Sequence, residues 1–145
     1  MDELKTECNK YNLSDLVIGM EESFQVVVTQ KMQDSFRELT GDINPMHIDK
    51  DYANSAGYND RLVYGMCTAS FYSTLVGVYL PGEKCLFHEC SVAWPKPVYV
   101  GDELTVIGKI TEIDHRYRRV KIKASIINQN GEKVSRATLT VGVRE

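Results

Sequence analysis

"LVYGMCTASFYSTLVGVYL", residues 62–80, decides how the chain folds. No Asp, Glu, Lys or Arg occurs between Arg61 and Glu83. The run is close to the ~20 residues that span a bilayer. Its chemistry argues against lipid, because Thr68, Ser70, Ser73 and Thr74, two glycines and three tyrosines suit hydrocarbon poorly. A segment apolar or small on every side is the pattern of a helix buried inside a domain. The helix is therefore placed from near Gly65 to just before Pro81-Gly82, with protein rather than lipid as its cover.

Downstream of that helix the chain reads as β. "FHECSVAWPKPVYV" is extended, Gly101-Asp102 turns, and "ELTVIGKITEI" runs to a reversal at Asp114-His115. "RRVKIKASII" alternates, with Val120, Ile122, Ala124 and Ile126 on one face and Arg119, Lys121, Lys123 and Ser125 on the other. Asn130-Gly131 is a two-residue hairpin signal. The final strand turns Ala137, Leu139, Val141 and Val143 inward. An apolar helix and an antiparallel sheet with one apolar face can satisfy each other only if the sheet wraps the helix, an α+β arrangement. Such a sheet leaves edges that a second copy can pair or cover.

Upstream, "SFQVVVTQ" (23–30) is rich in β-branched residues and reads as a strand. Thr29 is placed to cap a short helix with Met32, Phe36 and Leu39 as its apolar stripe and Gly41 as its stop. A second short helix is expected over roughly 48–56, running into Gly57, Asn59 and Asp60. Between the two helices lies "TGDINPMH" (40–47), where Asn44-Pro45 forbids helix because the residue before proline is pushed to extended geometry.

The chain has 145 residues, 43% hydrophobic and 26% charged, with a net charge of -3, and no repeat. One domain over residues 1–145 is expected, with 1–18 as an N-terminal extension. No basic excess points to nucleic acid. The start, "MDELKTECNKYN", lacks the apolar run of a signal peptide, so a cytoplasmic location is expected, off the membrane. The four cysteines, Cys8, Cys67, Cys85 and Cys90, are too few for a disulfide scaffold and are expected as thiols. Cys85, His88 and Cys90 invite a zinc reading. Strand alternation would put Cys85 and Cys90 on opposite faces, and no metal site is expected there.

"FRELTGDINPMH" followed by Ala53 resembles the hydratase motif of the MaoC-like, (R)-specific enoyl-CoA hydratase family, whose members have the hot-dog fold. The residues that carry the resemblance are Phe36, Leu39, Thr40, Gly41, Asp42, Asn44, Pro45, Met46 and His47. "VYGMCTASFYS" and "WPKPVYVGDEL" are also similar to that family, and the likeness runs from about Gly19 to the C-terminus. It implies a hot-dog domain, a homodimer, and reversible hydration of trans-2-enoyl thioesters to 3-hydroxyacyl thioesters. No cofactor is implied beyond the coenzyme A or phosphopantetheine that the substrate itself carries, supplied as acyl-CoA or on an acyl carrier protein.

By the same resemblance Asp42 and His47 are the catalytic pair that binds and activates water. Asn44, Gly65, Met66 and Ser73 are substrate-side residues, with Ser73 supporting the pair by a hydrogen bond. The residues give the pair a physical basis. Hydration needs a base for water, a proton for C2 and a donor for the charge developing on the thioester oxygen. A bend stiffened by Asn44-Pro45 lets two groups converge with little side-chain wandering. Gly65 would let a carbonyl approach the free N–H groups at the start of the helix.

Tyr64 stands where hydratases of this group often have His, and is expected at the pocket mouth, shaping substrate choice. The competing readings are a turn in which Asp42 only satisfies backbone amides, a hot-dog acyl thioesterase, and a non-catalytic acyl-thioester-binding subunit. The basic stretch "HRYRRVKIK" (115–123) reads as a solvated strand face, or alternatively as a contact for coenzyme A phosphates or an acidic carrier protein.

Overall fold

A computed structural model describes residues 5–145. Five antiparallel strands, β1 (Glu21–Val27), β2 (Cys85–Ala93), β3 (Glu103–Asp114), β4 (Arg119–Ile127) and β5 (Lys133–Val143), form one sheet in the order β1-β3-β4-β5-β2. All the α-helices lie between β1 and β2: α1 (Gln30–Thr40), α2 (Pro45–Ile48), α3 (Lys50–Ser55) and α4 (Gly65–Thr74), the last continued by a wider π turn, Leu75–Tyr79. The alternation in the last two strands gives the core as expected. Val120, Ile122, Ala124 and Ile126 of β4 and Ala137, Leu139, Val141 and Val143 of β5 are all buried, in one cluster with Tyr72, Leu75 and Val76 of the central helix. Each such side chain contributes roughly 1.5–3 kcal/mol on burial, so this shared core binds helix to sheet. No helix among the described residues is long and apolar enough to cross a membrane.

The sheet does not cover α4 on every side. Met66, which is 62% exposed, and Ser70 and Ser73 follow one another at helical spacing along an open face. Beside it, β2 is an edge strand with Leu86 and Phe87 exposed. The helix that reads as uniformly apolar or small thus carries its two serines and its Met on the face that one chain leaves bare, while Thr68 and Tyr72 are buried.

Several local expectations change. Thr29 does cap α1, accepting the Met32 N–H at 3.2 Å, and Gly41 ends it with φ 72°. Met32 and Phe36 pack on the core, but Leu39 is 81% exposed, and the residue α1 buries is Gln33. The helix expected over 48–56 is two, because Asp49 is extended (φ -112°, ψ 111°) and its carboxylate caps α3 through the Tyr52 N–H at 3.1 Å. The Asn130-Gly131 turn sits in a longer connection, 128–132, where Asn128 Oδ1 accepts the N–H groups of Asn130 and Glu132.

A bulge at His88 overturns the alternation argument for the cysteines. Phe87 pairs with Val141 but Glu89 with Thr140, so Cys85 and Cys90, opposite Val143 and Leu139, lie on the same face of the sheet. His88 is on the other face, its ring against Gly142. No group of three His, Cys, Asp and Glu among the described residues is arranged to hold a metal ion.

Of the segment read as an extension, residues 1–4 lie outside the described residues, and much of the rest is anchored. Asn9 N–H donates to Val78 O at 2.8 Å, its amide donates to Tyr79 O at 2.8 Å, and Leu13 and Leu16 are buried in the core. This segment closes the C-terminal end of the central helix.

Candidate active site

Three pieces of backbone meet at one place: the bend from Thr40 to Ile48, the first turn of α4, and the irregular segment 94–98 after β2. In the bend, Asp42 Oδ1 accepts the Asn44 N–H at 3.1 Å. Asn44 Oδ1 in turn accepts the Met46 N–H at 3.0 Å and caps α2, whose first residue is Pro45. The side chain of Asn44 is therefore committed to the turn. Asp42 is exposed and commits one oxygen to the turn, leaving Oδ2 without a protein donor among the described residues.

His47 is fixed by its Nδ1, 2.7 Å from Leu62 O. A carbonyl can only accept, so Nδ1 carries the proton and Nε2 keeps a lone pair in the neutral ring.

Two side chains that the sequence reading underweighted or misplaced hold this arrangement. Tyr64, 2% exposed, donates from its hydroxyl to the main-chain oxygen of Asp42 at 2.5 Å. Its ring lies on that of His47, with centroids 4.1 Å apart, and against Phe36 at 5.0 Å. Burial, and after it the charge of Asp42, hold the Tyr64 phenol above its ordinary pKa, so it stays a donor at neutral pH. Tyr64 is thus closed off from solvent, and it borders a small hollow that it lines with Gln33, Arg37 and His47. It is a buried brace touching both members of the pair. Gln33 joins the same layer: its amide donates to Leu62 O at 3.0 Å and His47 O at 3.3 Å, and its oxygen accepts the Tyr64 N–H at 3.3 Å. One buried amide binds three backbone groups from two segments, and leaving a buried group of this kind unsatisfied costs about 1–3 kcal/mol.

No side chain caps α4, so the N–H groups of Gly65 and Met66 in its first turn are left without intrahelical acceptors. Gly65 sits closely under Trp94: a Cβ there would lie 3.2 Å from Trp94 Nε1, a tight contact, and that indole N–H donates to Gly65 O at 2.7 Å. A cleft of about 280 Å³ opens at this point, lined by His47, Gly65, Thr68, Trp94, Pro97 and Val98 among others. Thr68 is fully buried, and its hydroxyl has no hydrogen-bond partner among the described residues.

The structure brings His47 and Gly65 together on one cleft and ties Asp42 to them through Tyr64. It does not bring Ser73 to the pair: Ser73 lies two turns past Gly65 on the open face of α4 and makes no hydrogen bond to Asp42 or His47. Met66 offers its backbone N–H, while its side chain faces out. Gln33, Thr68 and Trp94 were not singled out from the sequence. The available signals were a polar residue inside the Met32–Phe36 stripe and a lone Trp beside Pro95.

Residues 17–131 match the MaoC like domain family, which places the chain in that family. Among curated relatives, the (R)-specific enoyl-CoA hydratase of Aeromonas caviae is 32% identical over 97 residues, 67% of this chain and 72% of that protein. The 3-hydroxybutyryl-CoA dehydratase of Methylorubrum extorquens is 28% identical over 108 residues, 74% of this chain and 69% of that protein. Among solved structures, the (R)-hydratase from A. caviae superposes with a TM-score of 0.84 at 26% identity, covering 88% of this chain and 97% of that one. The hot-dog fold expected from the bend motif is the fold found.

Proposed function

We propose that the protein is a hydro-lyase that adds water reversibly across the C2=C3 bond of trans-2-enoyl thioesters, giving (R)-3-hydroxyacyl thioesters. The observation that carries this is the convergence on one small cleft of a histidine with a free Nε2 and the uncapped amides of α4, with Asp42 linked to that histidine through Tyr64, whose ring lies on His47 and whose hydroxyl holds the Asp42 main-chain oxygen.

Asp42, through Oδ2, takes a proton from a water whose oxygen attacks C3. His47 orients that water through Nε2, and the proton taken by Asp42 is relayed by way of Nε2 to C2, so that the H and OH of one water add to the two carbons and both residues end in their starting protonation states. The N–H groups of Gly65 and Met66 receive the negative charge that develops on the thioester oxygen, where the start of the helix favours it. The reaction consumes nothing but water, and the only carrier is the coenzyme A or phosphopantetheine already on the substrate. Asn44 acts by capping the bend rather than by touching substrate. We place the protein in the cytoplasm, acting on fatty-acyl thioesters.

We also propose a homodimer. The Met66–Ser70–Ser73 face of α4 is open and the edge strand β2 exposes Leu86 and Phe87, and a second copy would cover both through the same elements. Light scattering at micromolar concentration should give twice the chain mass, and a monomeric mass for active protein would rule this out.

The functional test is a comparison on crotonyl-coenzyme A. Hydration removes the conjugated double bond without releasing free thiol and gives (R)-3-hydroxybutyryl-coenzyme A on chiral analysis. Thiol release with the enoyl chromophore intact would make the protein a thioesterase. Neither change would favour a non-catalytic subunit.

A further inference from the structure

The outer face of the sheet, away from α4, is hollowed into a cup of about 500 Å³. Lys109, Lys123, Lys133 and Arg136 surround it, and its floor includes the small side chains of Ser91 and Ser125. All four cations are exposed, and none is in an ion pair: the ion pairs among the described residues are Arg37–Asp34, Arg61–Asp60, Lys96–Glu132 and Lys121–Glu112. The single carboxylate on the cup is Glu21, across β1–β3 from Lys109. Lys109 and Lys123 are themselves directly opposite across β3–β4, an arrangement of like charges that destabilises a sheet. Beside them, Arg136 pairs with Ser125 across β4–β5. In a chain with a net charge of -3, this is a concentrated and uncompensated positive site.

The cup and the catalytic cleft adjoin at the end of β2, with no lining residue in common. Ala93 lines the cup and its neighbour Trp94 lines the cleft. Lys133 lines the cup, while the adjacent Glu132 pairs with Lys96 on the cleft. Ser135 ties β5 to the end of β2, donating to Ala93 O at 3.0 Å.

We propose that this cup binds the phosphates of the substrate's carrier, specifically the adenosine 3′,5′-bisphosphate end of coenzyme A, with the thioester arm passing over the end of β2 into the cleft. The reading rests on the function proposed above and deepens it. Its volume is that of a small-molecule site, typically about 300–1,000 Å³. An acidic protein surface would instead need a broad contact of about 800 Å². Several cations converging on a concavity suit a compact polyanion.

The test separates this idea from the hydratase reading because its first readout needs no turnover. Adenosine 3′,5′-bisphosphate, titrated calorimetrically, should bind the wild-type protein and weaken as salt rises. Lys123→Gln/Arg136→Gln, checked for an unchanged melt, should bind it about tenfold more weakly, since each exposed charge contact is worth up to about a factor of five. Lys123→Arg should bind it like wild type. In turnover, the double variant should raise KM for crotonyl-coenzyme A about tenfold with kcat within about twofold, and leave KM for crotonyl-pantetheine unchanged. No binding to wild type, or equal binding to the double variant, overturns the proposal even if hydration is observed. So does a KM rise confined to a carrier-protein thioester. Bisphosphate binding that is lost in the double variant, in a protein that hydrates no enoyl thioester, would support the site and remove the hydratase.

Discussion

Replacing Tyr64 with Phe removes one atom from the layer beneath Asp42 and His47, the pair proposed to act on water. The ring keeps its contact with His47 at 4.1 Å and Phe36 at 5.0 Å, and only the hydroxyl bond to Asp42 O, 2.5 Å long, is lost. A neutral hydrogen bond of this kind contributes about 1 kcal/mol net, and the freed carbonyl belongs to an exposed residue that water can reach. For a chain of 145 residues that is a fall in Tm of about 3–4 °C. The same ~1 kcal/mol is what holds the Asp42 bend against alternatives, so kcat should fall about five- to tenfold as unproductive positions become populated. KM should stay within about twofold, because Tyr64 is not part of the cleft lining. Tyr64→His, whose ring is too short to reach Asp42 O, should lose kcat similarly and leave the acyl-length profile unchanged. The assay is loss of enoyl absorbance with crotonyl-, octenoyl- and dodecenoyl-coenzyme A, beside a thermal melt. A Tyr64→Phe enzyme with a lowered Tm and wild-type kcat would reduce Tyr64 to a core residue. A changed acyl-length profile in Tyr64→His would return it to the pocket wall.

Thr68→Val replaces a fully buried hydroxyl that lacks a partner by a methyl of the same shape, so the melt should rise by a few degrees, about 1 kcal/mol; a lower Tm would mean that the hydroxyl is already satisfied. Burial pushes the Cys85 thiol up to about 11 and the Tyr72 phenol to about 12, the latter against a Ser135 hydrogen bond that lowers it. Both folded values lie above the unfolded ones, so their contribution is fully present below pH about 9 and is lost as pH rises toward 12. Urea melts at pH 8, 10 and 11 should show falling stability, and Cys85→Ala should flatten the fall; a flat wild-type profile would contradict the burial of these groups.

The elements that the sequence made legible are those whose signal is local. Gly65 and Pro81 bracket the central helix, the strict alternation of 120–126 sets one face of the sheet, and Thr29 and Gly41 bracket α1. The bend motif pointed to the family and the fold because it is contiguous. The contacts that organise the site are not. Gln33 bonds to residues 14 to 31 positions away, and within α1 its only mark is its place inside the Met32–Phe36 stripe, which does not name those partners. Tyr64 was noticed as a departure from the family but misplaced, since exchanging His for Tyr does not say which way the ring points. Thr68 sits among other small hydroxyl residues of the same helix, and only packing shows that Thr68 is buried while Ser70 and Ser73 are bare. The parity argument at Cys85 and Cys90 failed because one inserted residue in β2 reverses every face beyond it.

Asp42→Asn tests the central claim most directly. Asn keeps the side-chain oxygen that accepts the Asn44 N–H, so the bend, α2 and the Tyr64 contact should survive and Tm should move by no more than about 2 °C. What it removes is the proton acceptor. The account predicts that crotonyl-coenzyme A hydration falls by ~10²–10⁴-fold while the melt is nearly unchanged. Hydration at close to the wild-type rate, with or without a lowered melt, would show that Asp42 only holds the turn and would contradict the mechanism.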